Sequence, residues 1–167
     1  VLSQIARQEF DGSFEIIVVD SGSTDRTREI ANSYNVRFVE IHPCEFTYGR
    51  SLNLGAHKGS GRFIGNLSAH ALPASERWLQ NLVSGLYQPE VAGVYGRQIS
   101  NTDINPVEAR QNERFFGLQD LIFSRRAGTK AKNIHFSNSN CAIRKDVWQK
   151  HPFNEQVSYA EDTLWQM

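Results

Sequence analysis

Three polar segments, far apart in the chain, contain the side chains that could do chemistry. The first is Asp20-Ser-Gly-Ser-Thr-Asp25, the second is Ser68-Ala-His70, and the third is the adjacent pair Glu161 and Asp162. Ligands of open α/β sheets bind outside the carboxyl ends of the strands, where an acidic side chain suits the ring N–H or ribose hydroxyls of a nucleotide. Carboxylates in the first turn of a helix are stabilised in their ionised forms, which keeps one available as a general base or metal partner. These segments therefore predict a nucleotide-binding turn and a site for acid–base or metal chemistry.

The first two segments each follow a predicted strand. Residues 15–20 contain a continuous apolar run, as strands buried on both faces do. Gly22 suits an unusual backbone angle in the turn that follows, and the hydroxyl side chains after it can cap the next helix. Residues 62–67 are a second predicted strand, and polar residues again follow its end. If the two strands are parallel in one sheet, Asp20 and His70 emerge at the same edge.

Predicted strands and helices alternate along the chain. Such alternation is typical of an α/β fold with a mostly parallel sheet and helices on both faces. The predicted strands are 15–20, 36–41, 62–67, 91–97 and a short one at 140–144. The predicted helices are 1–9, 24–34, 50–58, 75–87, a helix-rich stretch over 106–123, 145–150 and one from about 160, with a mobile polar loop at 124–133.

Composition excludes several classes of protein. The formal net charge is zero and no basic run is present, so a nucleic-acid partner is not expected. No apolar stretch approaches the length that is needed to cross a bilayer. Cys44 and Cys141 lack a paired or metal-type spacing, which is typical of a reducing compartment. We therefore expect a cytoplasmic protein.

A chain of 167 residues with 40% hydrophobic content can bury one core, so we expect a single domain over 1–167. The amphipathic helix at the start has no strand before it, and the last helix has no glycine or asparagine stop signal. We therefore expect this domain to be truncated at both ends, without its first strand and its C-terminal part.

The chemical segments and their order resemble the inverting glycosyltransferases of family 2, which have the Rossmann-like GT-A fold. The resemblance covers nearly the whole chain and has four parts. These are the nucleotide-binding turn, the Asn-x-Gly helix with the strand after it, the place of the Asp-x-Asp metal motif, and the acceptor-side loop with the Glu–Asp motif. In this chain the four parts are 18–25, 53–64, 67–73 and 136–162. The resemblance implies transfer of a sugar from a nucleoside-diphosphate-sugar to a hydroxyl acceptor with inversion, in polysaccharide or glycan synthesis.

The resemblance also implies roles for individual residues. Asp162 is the expected base that takes a proton from the acceptor hydroxyl, and Glu161 positions the acceptor or Asp162 itself. Asp20 is expected to recognise the nucleobase, and His70 is the expected metal ligand. The full set of expected donor-binding residues is Asp20, Ser21, Ser23, Arg50, Asn53, Ser68 and Asn138.

Three positions depart from the pattern of the family. Ser68 and His70 stand where the family's metal motif has carboxylates. Because imidazole is an acceptable ligand for transition metals, we expect His70 to bind Mn²⁺ or Mg²⁺ together with the donor pyrophosphate. A direct contact of a cationic His70 with the pyrophosphate is the alternative. Leu52 stands where the family commonly has arginine, and Arg50 is a candidate to supply that charge.

The expected partners are a nucleotide-sugar donor and a glycan or lipid-linked acceptor, with peripheral association at the inner face of the membrane as a further expectation for lipid-linked acceptors. Two other functions remain open. A nucleotidyltransferase shares the nucleotide-binding half of such sheets. A non-catalytic nucleotide-sugar or glycan-binding pseudoenzyme would explain the loss of the metal carboxylates at Ser68 and His70.

Overall fold

The computed structural model describes residues 1–99, 105–116 and 136–165. Strands and helices alternate along them, so the predicted α/β class is confirmed. The strands are β1 (Ile16–Asp20), β2 (Val36–Glu40), β3 (Phe63–Leu67), β4 (Gly93–Tyr95) and β5 (Asn140–Arg144). The α-helices are α1 (Leu2–Ile5), α2 (Thr27–Asn32), α3 (Tyr48–Lys58), α4 (Trp78–Ser84), α5 (Pro106–Phe116), α6 (Lys145–Lys150) and α7 (Glu161–Trp165). Short 3₁₀ turns cover Pro43–Glu45 and Gly85–Tyr87.

Strands β1 and β2 form a parallel pair that ends with Asp20 opposite Glu40. Helix α3 packs closely on β1, because a Cβ atom built on Gly55 would lie only 3.4 Å from a methyl group of Val19. The small residue lets the helix approach the strand. Asp20 lies at the carboxyl end of β1, as the sequence predicted, and α3 covers this strand.

Strands β3, β5 and β4 form a second sheet with β5 in the middle. β5 runs antiparallel to both neighbours, with Leu67 opposite Asn140 at the end of β3. The sequence predicted one mostly parallel sheet, whereas the ladders of the described residues form two sheets and β5 runs in the reverse direction. The backbone N–H of Ser68 donates to the carbonyl of Ser139 at 2.9 Å. The chain therefore enters β5 beside the end of β3, and an antiparallel ladder follows.

Side chains of β5 point alternately into two apolar clusters, one on each face of the second sheet. Successive residues of a strand face opposite sides, which explains this division. Helices on both faces contribute to the clusters, as predicted, together with Phe136 and Phe153 from non-helical segments. Cys141 and Ile143 pack with Ala56, Phe136, Trp148 and Phe153, whereas Ala142 packs with Leu82, Val83 and Leu86.

Local hydrogen bonds set the helix ends that the sequence pattern placed differently. Helix α2 begins later than predicted, because Asp25 Oδ1 accepts a hydrogen bond from the Thr27 N–H at 2.9 Å and holds a turn before the helix. Helix α3 begins earlier than predicted, because Thr47 Oγ1 caps it by accepting from the Arg50 N–H at 3.1 Å. A side-chain acceptor at the N-cap satisfies a backbone N–H that the helix leaves unpaired.

The predicted loop 124–133, and the end of the predicted helix-rich stretch beyond residue 116, lie outside the described residues. Within the part of the chain that the structure describes, no helix has both the length and the apolar character that crossing a membrane requires.

Candidate active site

The turn after β1 is organised around the Asp20 carboxylate, which is 8% exposed. Asp20 Oδ2 accepts hydrogen bonds from the backbone N–H groups of Gly22 and Ser23, each at 2.9 Å. The Ser23 hydroxyl donates to Asp20 Oδ1. Gly22 has a φ of +94°, which favours glycine, and its Cα lies close against Pro43. Ser21 is exposed at the outside of the turn.

These hydrogen bonds decide the protonation state of Asp20. Burial alone raises the pKa of a carboxyl group, because it disfavours the charged form. The hydrogen bonds from Ser23 and Gly22 outweigh burial, and the charge of Arg28 adds to them, so the pKa of Asp20 lies below its usual value. Asp20 is therefore an ionised acceptor at neutral pH.

The segment after β3 forms a tight turn. The backbone N–H of Ala71 donates to the Ser68 carbonyl at 2.9 Å, and the His70 N–H lies 3.3 Å from the Ser68 hydroxyl. This turn leaves the His70 side chain exposed and Ser68 half-buried. Ser139, on the segment before β5, is tied to the same turn through its backbone. The imidazole is therefore free to meet a ligand at the carboxyl end of β3.

Glu161 and Asp162 occupy the first turn of α7. Ala160, directly before them, has a φ of +64°, a left-handed conformation that costs a residue with a Cβ about 1–2 kcal/mol. Strained backbone of this kind clusters at functional sites. Glu161 is buried, and Asp162 is half-buried with its Oδ1 accepting from the Thr163 N–H at 2.7 Å.

Asn138 connects the β5 side of the site to the start of α7. Its Nδ2 donates to Glu161 Oε1 at 3.2 Å, and both side chains are buried. The backbone hydrogen bond between Ser68 and Ser139 joins the turn after β3 to the segment before β5. Through Asn138, this segment also contacts the Glu–Asp pair, so the three lie in one contiguous region. Ser68, Asn138, Glu161 and Asp162 are the predicted site residues of this region, and His70 lies in the same turn as Ser68.

Asn53 occupies a different place, between α3 and the 153–155 loop. Its Nδ2 donates to the Phe153 carbonyl at 2.9 Å and to Glu155 Oε1 at 2.8 Å. Its Oδ1 accepts from Trp148 Nε1 at 2.9 Å and from the Phe153 N–H at 3.0 Å. Both donors and both acceptor positions of the amide are used, so the contacts of Asn53 in this structure are structural ones.

Arg50 lies half-buried on α3, where its guanidinium is 3.4 Å from Glu45. Together with Asn53 and Glu155 these residues line a cleft of about 280 Å³. Glu45 belongs to the 3₁₀ turn Pro43–Glu45, and Pro43 of that turn packs against Gly22 in the Asp20 turn. Asp20 and Arg50 are thus placed around the end of the parallel pair. The described contacts do not tie them to the region of His70 and Asp162.

The donor atoms at the turn after β3 decide which metal would fit. Among residues 1–99, 105–116 and 136–165, no three His, Cys, Asp or Glu side chains are grouped so that they could hold a metal ion. The exposed His70 imidazole and the Ser68 hydroxyl are a nitrogen and a neutral oxygen donor. This pair fits Mn²⁺ better than Mg²⁺, and a metal there would need phosphate oxygens to complete its coordination.

The hydrogen bonds reveal residues that the sequence reasoning treated as ordinary. Cys141 is fully buried, and its thiol is hydrogen-bonded to Asn66 and Asn138. The sequence contained a weak signal for this, since Cys141 follows closely on two asparagines. The indole N–H groups of Trp78, Trp148 and Trp165 all donate within the protein, so each of these side chains is held by a hydrogen bond in its packing.

Solved structures with the same arrangement indicate the fold. The structure matches Staphylococcus aureus TarS 1–349 with a TM-score of 0.65 at 18% identity, over 99% of this chain and 48% of that one. The same protein in complex with UDP matches with a TM-score of 0.65 at 19% identity, over 99% of this chain and 48% of that one. At this identity the likeness shows the fold alone, and the predicted GT-A class is confirmed.

Curated relatives and a family profile agree. The O-antigen chain rhamnosyltransferase WbaN of Salmonella anatum is 32% identical over 152 residues, which are 89% of this chain and 48% of WbaN. RfbN of Salmonella typhimurium, of the same description, is 30% identical over 153 residues, 89% of this chain and 49% of RfbN. The chain thus spans about half the length of these relatives. The profile named Glycosyl transferase family 2 matches residues 1–151, which ends before Glu161. The resemblance stated from the sequence is therefore confirmed, and the chain belongs to glycosyl transferase family 2.

Proposed function

We propose that the chain forms the donor-binding and catalytic part of an inverting glycosyltransferase, which moves a sugar from a nucleoside-diphosphate-sugar to a hydroxyl acceptor. The observation that supports this most strongly is the contiguity of the turn after β3 with the Glu–Asp pair. Two hydrogen bonds produce this contiguity, one between the backbones of Ser68 and Ser139 and one from the Asn138 amide to Glu161. This reaction needs the leaving diphosphate and the base on opposite faces of one sugar, so the groups that bind them must border the same site. Membership of the family supports the same chemistry.

Asp20 is the proposed contact to the nucleobase. A carboxylate has about four acceptor positions. Oδ2 of Asp20 uses two for Gly22 and Ser23, and Oδ1 uses one for the Ser23 hydroxyl. Among the described residues, one acceptor position on Oδ1 is left for a ring N–H. Ser23 thus orients Asp20, and the exposed Ser21 can reach the ribose; Arg50 and Asn53 support the same side of the site from α3.

His70 is the proposed contact to the diphosphate. Its imidazole would hold Mn²⁺, with Ser68 as a weaker participant and Asn138 nearby. A cation bound there would neutralise the charge that builds on the leaving nucleoside diphosphate. The exposed position of His70 leaves room for a ligand of that size. A direct hydrogen bond from the imidazole to a phosphate oxygen is the alternative role of the same side chain.

Asp162 is the proposed general base. Oδ1 is held by the Thr163 N–H and hydroxyl, whereas Oδ2 has no partner among the described residues. One oxygen is therefore fixed while the other can accept the proton of the acceptor hydroxyl. Attack from the face opposite the diphosphate then breaks the bond between the anomeric carbon and the phosphate oxygen, and the configuration inverts. Glu161, held by Asn138, positions the acceptor or Asp162 itself.

We propose polysaccharide synthesis as the biological setting, because both curated relatives are described as O-antigen chain rhamnosyltransferases. The first donor to test is accordingly a nucleoside-diphosphate-rhamnose. UDP-sugars come next, since a solved TarS structure contains UDP. The proposed acceptor is a glycan or lipid-linked glycan. The proposed location is the cytoplasm, with peripheral attachment to the inner face of the membrane, and a single domain over 1–167 is part of the same proposal.

The direct test is to incubate the intact protein with these donors and candidate acceptors. Release of nucleoside diphosphate is measured, and the anomeric configuration of the product is read by proton NMR. We expect a product whose configuration is opposite to that of the donor. A product with retained configuration would contradict the proposal.

A pseudoenzyme is the second candidate, because the described residues contain no group of three metal-binding side chains. It predicts that donors raise the melting temperature of the protein, since ligands that bind the native state stabilise it by mass action, while no nucleoside diphosphate is released. Binding without turnover for every donor would therefore favour it over the transferase.

A further inference from the structure

A buried series of side-chain hydrogen bonds runs from β3 to the Glu–Asp pair. Asn66 Nδ2 donates to the Cys141 sulfur at 3.6 Å, and the Cys141 thiol donates to Asn138 Oδ1 at 3.5 Å. Asn138 Nδ2 then donates to Glu161 Oε1 at 3.2 Å. Cys141 is fully buried, and Asn138 and Glu161 are 8% and 7% exposed. Water therefore does not compete for these hydrogen bonds. The orientation of each side chain depends on the side chain that it is hydrogen-bonded to.

The protonated thiol determines the direction of the series. Burial raises the pKa of Cys141 to about 12, against hydrogen bonds from Asn66 that lower it and with support from the negative charge of Asp162. The thiol keeps its proton at neutral pH and acts as a donor. An amide side chain has its acceptor oxygen and its donor nitrogen on opposite sides. With the thiol at Oδ1, the NH₂ group of Asn138 must face the Glu161 carboxylate.

We propose that Cys141 and Asn66 are positioning residues of the Glu161–Asp162 pair: they orient the Asn138 amide, and Asn138 holds Glu161 and with it the first turn of α7. This inference rests on the glycosyltransferase function proposed above. Neither Cys141 nor Asn66 touches substrate in it. Two backbone features next to Glu161 depend on where its side chain is held. The strained φ of Ala160 lies directly before Glu161, and α7 begins at Glu161 itself.

The first test compares substitutions of the two cysteines. Cys141→Ala removes the donor to Asn138, and we expect kcat to fall about 10-fold, because the loss of the hydrogen bonds on both sides of the sulfur weakens the alignment. We expect KM for the donor to stay within about twofold, since the series acts on the base. Cys141→Ser keeps a donor and an acceptor, and its kcat should return to within about threefold of wild type. Cys44→Ala, at an exposed cysteine, is the matched control and should leave kcat unchanged.

A second readout does not depend on activity. Side-chain amide protons of Asn138 should exchange with water slowly in the wild-type protein. Cys141→Ala should speed this exchange about 10-fold, and Cys141→Ser should restore the slow rate, as followed by ¹⁵N NMR. The exposed Asn81 is the reference amide. If Cys141→Ala does not fold, Asn66→Ala leaves the thiol in place and should lower kcat about threefold.

The outcomes separate the two proposals. Equal kcat and equal Asn138 exchange in wild type and Cys141→Ala, with both proteins folded, would overturn the positioning role. Loss of kcat in Cys141→Ser as large as in Cys141→Ala would also overturn it, because the serine retains the hydrogen bonds. An exchange response in a protein that transfers no sugar would support the positioning of Glu161 and contradict the proposed function.

Discussion

At the scale of single residues, hydrogen bonds and not burial determine the behaviour of the candidate site. Asp20 is buried, yet Ser23 and Gly22 hold its pKa below the usual value. Glu161 is buried as well, and its partner is the NH₂ group of Asn138. Both carboxylates thus have donors supplied by the protein before any ligand arrives. Preorganised groups of this kind need little rearrangement when a substrate binds.

Asp20 makes the stability of the protein depend on pH in a defined direction. Its pKa is lower in the folded state than the unfolded value of about 3.9. The contribution is therefore fully present above the unfolded value and is lost as the pH falls through the folded value. We expect Asp20→Asn to be less stable at neutral pH, and its unfolding free energy to change less than that of wild type between about pH 4 and pH 2. Urea unfolding at each pH measures this, with the exposed Asp11→Asn as control; parallel curves for wild type and Asp20→Asn would contradict it.

His70 carries the prediction about metal. If the imidazole holds Mn²⁺ against the diphosphate, Mn²⁺ should tighten nucleoside-diphosphate binding by the wild type about 10-fold, a coupling of about 1.4 kcal/mol. In His70→Ala the effect should fall below about twofold. His151→Ala, at an exposed histidine, should behave as wild type. Calorimetric titrations with and without Mn²⁺ measure the effect, and equal metal dependence in His70→Ala and wild type would remove His70 as the ligand.

At the scale of elements, the site depends on side chains that fasten one segment to another. Asn53 holds α3 to the 153–155 loop by three hydrogen bonds, and a fourth joins its amide to Trp148 of α6. The loop leads towards the start of α7. Asn53 therefore links α3, which packs on β1, to the segment that precedes the Glu–Asp pair.

Asn53→Ala tests this fastening. It leaves the Trp148 indole N–H and the Phe153 N–H without their acceptor in a buried place, so we expect a loss of about 2–4 kcal/mol in unfolding free energy. Asn81→Ala, on an exposed position of α4, should change it by less than about 0.5 kcal/mol. Denaturant unfolding measures both. A loss in Asn53→Ala as small as that of the control would show that the amide does not fasten the two segments.

At the scale of the whole molecule, local patterns predicted more than long-range ones. The apolar run before Asp20, the turn with Gly22 and the carboxylates that open α7 could be identified from neighbouring residues, because turns and caps depend on local hydrogen bonds. The antiparallel direction of β5 could not, since it depends on where residue 139 meets residue 68. For the same reason the bond of Asn138 to Glu161, and the role of Cys141 between them, became visible only in the folded chain.

The proposed glycosyltransferase function depends on Asp162 acting as the base of the sugar transfer. The most direct measurement is single-turnover transfer by the intact protein with Asp162→Asn, together with its affinity for the donor. We expect the single-turnover rate constant to fall about 10³-fold, because general bases contribute about 10²–10⁴-fold, with an unchanged donor Kd and wild-type rates for Asp11→Asn. Transfer by Asp162→Asn within about threefold of the wild-type rate would contradict it.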